Sequence, residues 1–336
     1  MKKARIAICD PDHIYRGRLH GYLHAHIRLP VTIEEYSDHT QVMLRAEADA
    51  LSLLILSGEA ALEKPQGCEN ILVLTDEGED REVTESGVRI CYRSRYRPAG
   101  EIVSRILEFL AEDTSLSIRM EQAGNRHTKV IGYYSPIKRC MQTSSALCTG
   151  QILAENARTM YLSFSPFAGE DLAGKDGDLS DLMYYYDCAR EQLPIWIERI
   201  KQRVGRLEYI PPASSYLQTE GMQARDYIGL IRAISEETDV KYLLLDLTET
   251  VTGLFDVLSV CDEVYTITGH DMRDKEKIEA YRRWLAMHGE EELLEKTRFV
   301  RLPKGCPLPQ SRRALPGGML ATYLWQNDMI PAGGKE

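Results

Sequence analysis

The 336-residue chain has no C-x-x-C pair among its eight cysteines. Cys9, Cys68, Cys91, Cys140, Cys148, Cys188, Cys261 and Cys306 are scattered, mostly within apolar runs. That excludes a disulfide framework or a Cys-rich zinc site, and predicts reduced core thiols. No stretch approaches the ~20 consecutive apolar residues of a membrane span. The apolar run in MKKARIAICDPD is short and meets aspartates, so it reads as a strand and not as a signal peptide. Positive charge is also lacking: the formal net charge is −10 and the isoelectric point about 5.4. An acidic chain of this kind is repelled by phosphate fields, which argues against DNA, RNA or anionic lipid as its partner. These absences together predict a cytoplasmic protein without an integral membrane segment. Internal repeats and low-complexity tracts are missing as well.

What is present is a strand–helix rhythm, repeated in two blocks. With 43% hydrophobic residues the chain can build two cores. In the first block, strands are predicted at ARIAICD, VTIEEYS, ALSLLILS, NILVLTD and VRICYR. Helices are predicted at IYRGRLHGYLHAHI, HTQVMLRAE and AGEIVSRILEFLAE. The polar segment 113–128, with Gly124 and Asn125, is the best linker. The rhythm then resumes, with strands at Lys129–Tyr134, Thr159–Phe164, Leu207–Ile210, Val240–Leu247, Glu263–Thr268 and Thr297–Arg301. The predicted fold is α/β: two doubly wound, mainly parallel open sheets, one over 1–112 and one over 129–330.

In the first block, Asp10 and Asp12 follow strand 1, Thr75 ends strand 4, and Arg93 and Arg95 follow strand 5. This layout resembles the receiver (flavodoxin-like) domains of two-component regulators, whose acidic pair holds Mg²⁺ and whose strand-3 aspartate accepts a phosphoryl group. LSLLILSGEA contains no aspartate, and no lysine follows strand 5. Phosphotransfer therefore lacks its nucleophile, and Asp10 reads more simply as a turn cap. What is left is a docking or dimerisation module, or an inert remnant of the fold.

In the second block, VIGYYSPIKRCMQTSSALC runs from a strand through a short loop into a Thr-Ser-Ser helix start. That is the layout of a phosphate-binding unit. Its frame resembles the loop of the ParA/MinD superfamily of deviant Walker A ATPases, S-P-K-G-G-x-G-K-T-[ST]. Ser135, Pro136, Thr143 and Ser144 are retained. The signature lysine falls on Ile137, the three glycines on Lys138, Arg139 and Met141, and the phosphate-contacting lysine on Gln142. Side chains at the glycine positions crowd the curl that aims backbone N–H groups at phosphate. Gln142 donates hydrogen bonds but neutralises no charge. Against these losses, the helix start still favours an anion, and Lys138 and Arg139 bring charge to it.

KYLLLDLTE resembles the Walker B strand and puts Asp246 at its end, where it is either part of a Mg²⁺ shell or a plain strand-end acid. VRLPKGCPLP resembles the loop near the base and includes Pro303. The resemblance is narrower still to the TadZ/CpaE branch, which joins a receiver-like domain to a ParA-like one and localises Flp-type (tight adherence) pilus assembly. It implies ATP and Mg as weak ligands rather than required ones. Lys138, Arg139, Gln142, Thr143 and Ser144 would line the phosphates, and Thr143 and Asp246 would hold the metal if nucleotide binds. Further implications are a homodimer, partners among pilus or secretion assembly proteins, and poor turnover; an active ATPase using Lys138 or Arg139 is the alternative. Two other clusters read as bland. His13, His20, His24, His26 and His39 lack a ligand pattern, and Tyr184–Tyr186 point different ways on a helix. The helix at Met319–Asn327 has no lysine face and is predicted to dock on the sheet.

Overall fold

The computed structural model describes residues 4–57, 67–76, 80–113, 128–138, 140–165, 169–174, 176–327 and 329–330. Most of the predicted linker and Arg139 lie outside the described residues. The chain forms two compact units, Met1–Met120 with Ala189–Arg199, and Glu121–Cys188 with Ile200–Glu336.

The first unit contains β1 (Arg5–Cys9), α1 (His13–His26), β2 (Thr32–Tyr36), α2 (His39–Ala48), β3 (Leu53–Ser57), β4 (Asn70–Thr75), β5 (Arg81–Glu85), β6 (Val88–Ser94) and α3 (Ala99–Glu112). Its six-stranded sheet has the order β2-β1-β3-β4-β6-β5, parallel except for β5. β1, β3 and β4 are nearly continuous Ile, Leu, Val and Ala runs because both faces of a parallel sheet are covered. Asp12 and Asp38 cap α1 and α2 by accepting backbone N–H bonds. α3 buries Ile102, Ile106, Leu107 and Leu110 on one stripe.

The second unit contains β7 (Lys129–Tyr133), α4 (Gln142–Leu153), β8 (Thr159–Ser163) and α5 (Leu179–Cys188). After α6 (Leu193–Ile200), most of which belongs to the first unit, come β9 (Gln202–Val204), β10 (Leu207–Ile210), α7 (Tyr216–Thr219), α8 (Ala224–Glu237), β11 (Tyr242–Asp246), α9 (Leu254–Ser259) and β12 (Glu263–Thr268). α10 (Met272–Met287), α11 (Glu291–Glu295), β13 (Thr297–Arg301) and α12 (Met319–Gln326) complete it. The seven strands have the order β13-β12-β7-β11-β8-β10-β9, parallel except for β9. α4 and α12 cover one face, packing Ala146, Leu147, Leu320 and Leu324 against Tyr133, Tyr161 and Tyr265. α12 therefore docks on the sheet, although Met319, at the start of its apolar stripe, is exposed.

The two mainly parallel sheets are as the sequence predicts; the antiparallel edge strands are not. β5 has a single half-buried apolar residue, Val83, so it carries no hydrophobic pattern. Its turn does carry a signal: Ser86 and Gly87 both have positive φ, 52° and 81°, as a tight hairpin joining β5 to β6 requires. α6 stops at Ile200 and Gln202 enters β9.

β9 pairs with β10, which carries a buried, heavily ion-paired acid. Glu208 on β10 is 3% exposed. It takes Arg158 Nε at 2.8 Å, Lys201 Nζ at 2.7 Å and Arg203 Nη2 at 2.9 Å. Burial pushes this carboxyl up, but Lys201, Arg158 and Arg203 more than offset it and hold it down to about 2. A depressed carboxyl stabilises the fold above its unfolded value and loses that contribution as pH falls through the folded one. Glu208→Gln should cost about 3 kcal/mol near neutral pH, because three cations lose their anion. By urea unfolding, the gap to wild type should narrow as pH falls from 4.5 towards 2. A gap that stays constant over that range would rule out the charge of Glu208 as its source.

Candidate functional site

Strand order puts a crevice at the carboxyl end of β7. The chain leaves β7 towards β8 on one side, and after β11 it crosses to β12 and β13 on the other. Such switch points are where open α/β sheets hold ligands. The loop 134–141 leaves β7 here. Ser135 Oγ donates to the Ile267 carbonyl at 2.6 Å and accepts from Ile137 N–H at 3.3 Å. This folds Ile137 inward, where it is 3% exposed. Met141 enters α4 with φ 63° and ψ 27°. That left-handed conformation suits glycine and is uncommon for a methionine. The loop thus keeps a glycine-type turn without the glycine.

The centre of the site is Asp246, 1% exposed at the end of β11. Its Oδ1 accepts from Gln142 Nε2 at 2.6 Å. Its Oδ2 accepts from Thr143 Oγ1 at 2.6 Å and from Tyr161 OH at 2.9 Å. The same Gln142 nitrogen reaches the Tyr133 carbonyl at 3.1 Å and the Leu247 carbonyl at 2.9 Å. All three of its neighbours are acceptors, so the amide nitrogen and not its oxygen must face them. Two N–H groups are shared among three acceptors, and none is left for a ligand. Burial pushes the Asp246 carboxyl up, and the bonds from Thr143, Gln142 and Tyr161 oppose that without cancelling it. The positive charge of Arg312 acts in the same direction as those bonds.

The sequence-predicted residues divide into two groups. Gln142, Thr143 and Asp246 are brought together, and Ser144 stands half-buried beside them in the first turn of α4. Lys138 is largely exposed and pairs with Glu249, which follows β11. Pro303 follows β13, which lies two places from β7 in the sheet. Strand spacing alone separates them by roughly 10 Å. Asp171 forms an ion pair with Arg312 Nε at 2.6 Å. Tyr161 is the participant that sequence reasoning missed. It lies two residues before the end of β8 and pairs with Leu244 in register, so its hydroxyl reaches Asp246 only through the sheet. Arg312 was missed for a similar reason, since no motif marks it.

A triphosphate with Mg²⁺ needs convergent N–H groups, a cation and free metal ligands. Here Ile137 and Met141 fill glycine and lysine positions, the Gln142 amide is spent internally, and Lys138 is neutralised by Glu249. The described residues do not fit that group as they stand.

The first unit has a comparable crevice at the carboxyl ends of the paired strands β1 and β3, where the chain leaves β1 towards β2 on one side and β3 towards β4 on the other. Asp10 is buried there and accepts the Asp12 N–H at 2.7 Å, as a turn cap does. Arg95, after β6, reaches Asp10 at 3.4 Å, Asp12 at 4.0 Å and Asp76 at 3.5 Å. It lies 3.9 Å from the Tyr15 ring centroid. A fixed guanidinium therefore already sits among the acids. Ser57 ends β3, and Thr75 Oγ1 donates to the Arg93 carbonyl at 3.3 Å. Among the described residues no group of three or more His, Cys, Asp or Glu is placed to hold a metal ion, the histidines of α1 included.

No protein-family model matches the chain, and no curated protein does. Solved structures similar to it include a ParA family ATPase from Chlorobium tepidum, at 16% identity and a TM-score of 0.43 over 52% of this chain and 73% of that one. The MinC:MinD cell division complex of Aquifex aeolicus is similar at 13% identity and a TM-score of 0.40, over 52% and 68%. Cobyrinic acid a,c-diamide synthase of Mycobacterium smegmatis, with bound ATP analogue and magnesium, is similar at 11% identity and 0.40, over 61% and 84%.

The raised carboxyl of Asp246 has a definite sign. A carboxyl with a raised folded value adds stability below its unfolded value of 3.8 and loses it as pH rises through the folded one. Measured by urea unfolding, the stability of wild type relative to Asp246→Asn should fall as pH rises above 3.8. A difference that grows with pH instead would mean that the three donors outweigh burial.

Proposed function

We infer that the second unit is a ParA/MinD-like frame whose phosphate loop is closed by its own side chains. On this reading the chain serves as a localisation or scaffold factor and not as an efficient ATPase. One observation carries it: the Gln142 amide is fully engaged by Asp246 and two strand-end carbonyls at the point where the family's loop presents a lysine. Removing a cation from such a loop costs orders of magnitude in phosphoryl transfer. The pilus-assembly part of the reading rests on the resemblance of the two-unit layout to the TadZ/CpaE branch. It entails a homodimer, partners from a pilus or secretion assembly, and a cytoplasmic protein held at the membrane through those partners. No helix among the described residues is long and apolar enough to cross a membrane.

The second reading is a nucleotide-switched ATPase that uses Lys138 or Arg139, the latter outside the described residues. Two observations favour it. Met141 keeps the left-handed turn, and Thr143 and Asp246 remain paired as metal ligands would be before a cation enters.

Thermal unfolding with Mg-ATP separates the two. A nucleotide present at about 100 times its Kd adds about 2.7 kcal/mol to the folded state, which moves Tm by roughly 5–10 °C in a unit of this size. The expected result is no shift for wild type in millimolar Mg-ATP, background ADP release, and a measurable shift on Gln142→Lys. A clear wild-type shift, with turnover that disappears on Lys138→Ala, would establish the switch and end the scaffold reading.

A further inference from the structure

On the face of the sheet opposite α4, α10 and the terminal strand β13 enclose an open groove of ≈ 460 Å³. Its walls include Thr268, Lys275, Glu279, Arg282, Phe299 and Arg301. Three of these are cationic and one is acidic, in a chain whose formal net charge is −10. Among the described residues, the Lys275 and Arg301 side chains have no carboxylate within ion-pair distance, and Arg282 Nη1 reaches Glu279 only at 3.9 Å. The Arg282 guanidinium lies 3.9 Å from the Phe299 ring centroid, and its Nε is shielded from water with no hydrogen-bond partner.

We propose that this groove docks an acidic, extended peptide segment of a partner protein, with its carboxylates on Arg282, Arg301 and Lys275. Spacing selects a peptide over a single anion. Lys275 and Arg282 are seven residues apart on α10, about 10 Å along the axis, which is more than one phosphate or carboxylate can span. Carboxylates two residues apart on an extended strand are about 6.6–7 Å apart and point the same way, so a run of two or three covers the distance. The overall charge selects against large polyanions, because a duplex or an anionic membrane meets the whole −10 field whereas a short peptide meets the local one. An aromatic floor under an arginine adds an apolar contact for the intervening side chains. The proposal does not depend on whether the loop at β7 binds nucleotide.

The test is fluorescence anisotropy with a fluorescein-labelled peptide of alternating Glu and Val, and the Gln–Val peptide as its uncharged control. The expected result is saturable binding of the Glu peptide that weakens about tenfold or more on Arg282→Glu or on Arg301→Glu, and also when salt rises from about 50 to 300 mM. The Gln peptide should not bind. Should Arg282→Glu lower the melting temperature, the double variant Lys275→Glu, Arg301→Glu decides the matter, since both side chains are exposed. No saturable binding of the Glu peptide would overturn the proposal, and so would binding that these charge reversals leave unchanged. Tighter binding at the same residues by phosphatidylserine vesicles or a DNA duplex would overturn it in favour of that class.

Discussion

Asp246 is a carboxylate at 1% exposure, and the crevice of the second unit is arranged around its need for donors. An anion taken that far from water is tolerated only when nearby dipoles replace the hydration it lost. Tyr161 from β8 supplies one, and Thr143 and Gln142 from the start of α4 supply the others. Because Gln142 and Thr143 are bound to β11, the first turn of α4 is tied to the strand next to β7. The bonds from Gln142 to the carbonyls of Tyr133 and Leu247 close the same junction from the backbone side. The orientation of the loop therefore follows from the burial of one acid.

This also explains how the loop tolerates residues that look wrong for it. In a nucleotide site, a lysine at position 142 would offset the charge of Asp246 and of a ligand together. A neutral amide offsets neither, but it satisfies the hydrogen-bonding demand of Asp246 and of two strand ends without a ligand. Ile137 goes inward for the same reason: nothing in the crevice calls for a cation there, so an apolar side chain adds to the core instead. Met141 is the exception, because its φ of 63° is a conformation that costs a non-glycine residue free energy.

The sequence made the parallel strands legible because their burial on both faces writes long apolar runs: ILVL in β4 and YLLLD in β11 need no other clue. It did not make the edge strands legible. β5 is mostly exposed and β9 is short and half-buried, so neither carries such a run, and they are held by pairing with β6 and β10. The division at the site is similar. Asp246, Gln142 and Thr143 were visible because each stands at a fixed offset from a strand end or helix start. Tyr161 and Arg312 were not, because they reach the site by strand register and by a return of the chain after β13. The pairing of Lys138 with Glu249, 111 residues apart, was equally out of reach of local pattern.

The first unit solves the same electrostatic problem by a different route. Its acids at the carboxyl end of β1 are close enough to repel one another, and either a metal ion or a fixed cation can relieve that repulsion. Arg95 relieves it from within, held over the Tyr15 ring and reaching Asp10, Asp12 and Asp76. A guanidinium there is permanently charged and tethered, so it competes intramolecularly with any divalent ion. In the second unit the partner is an amide, because the group to be satisfied is one buried carboxyl pushed towards neutrality, which calls for hydrogen bonds before charge. In both crevices the chain supplies from its own side chains what a cation or ligand would otherwise supply. Folding, not ligation, then fixes both geometries.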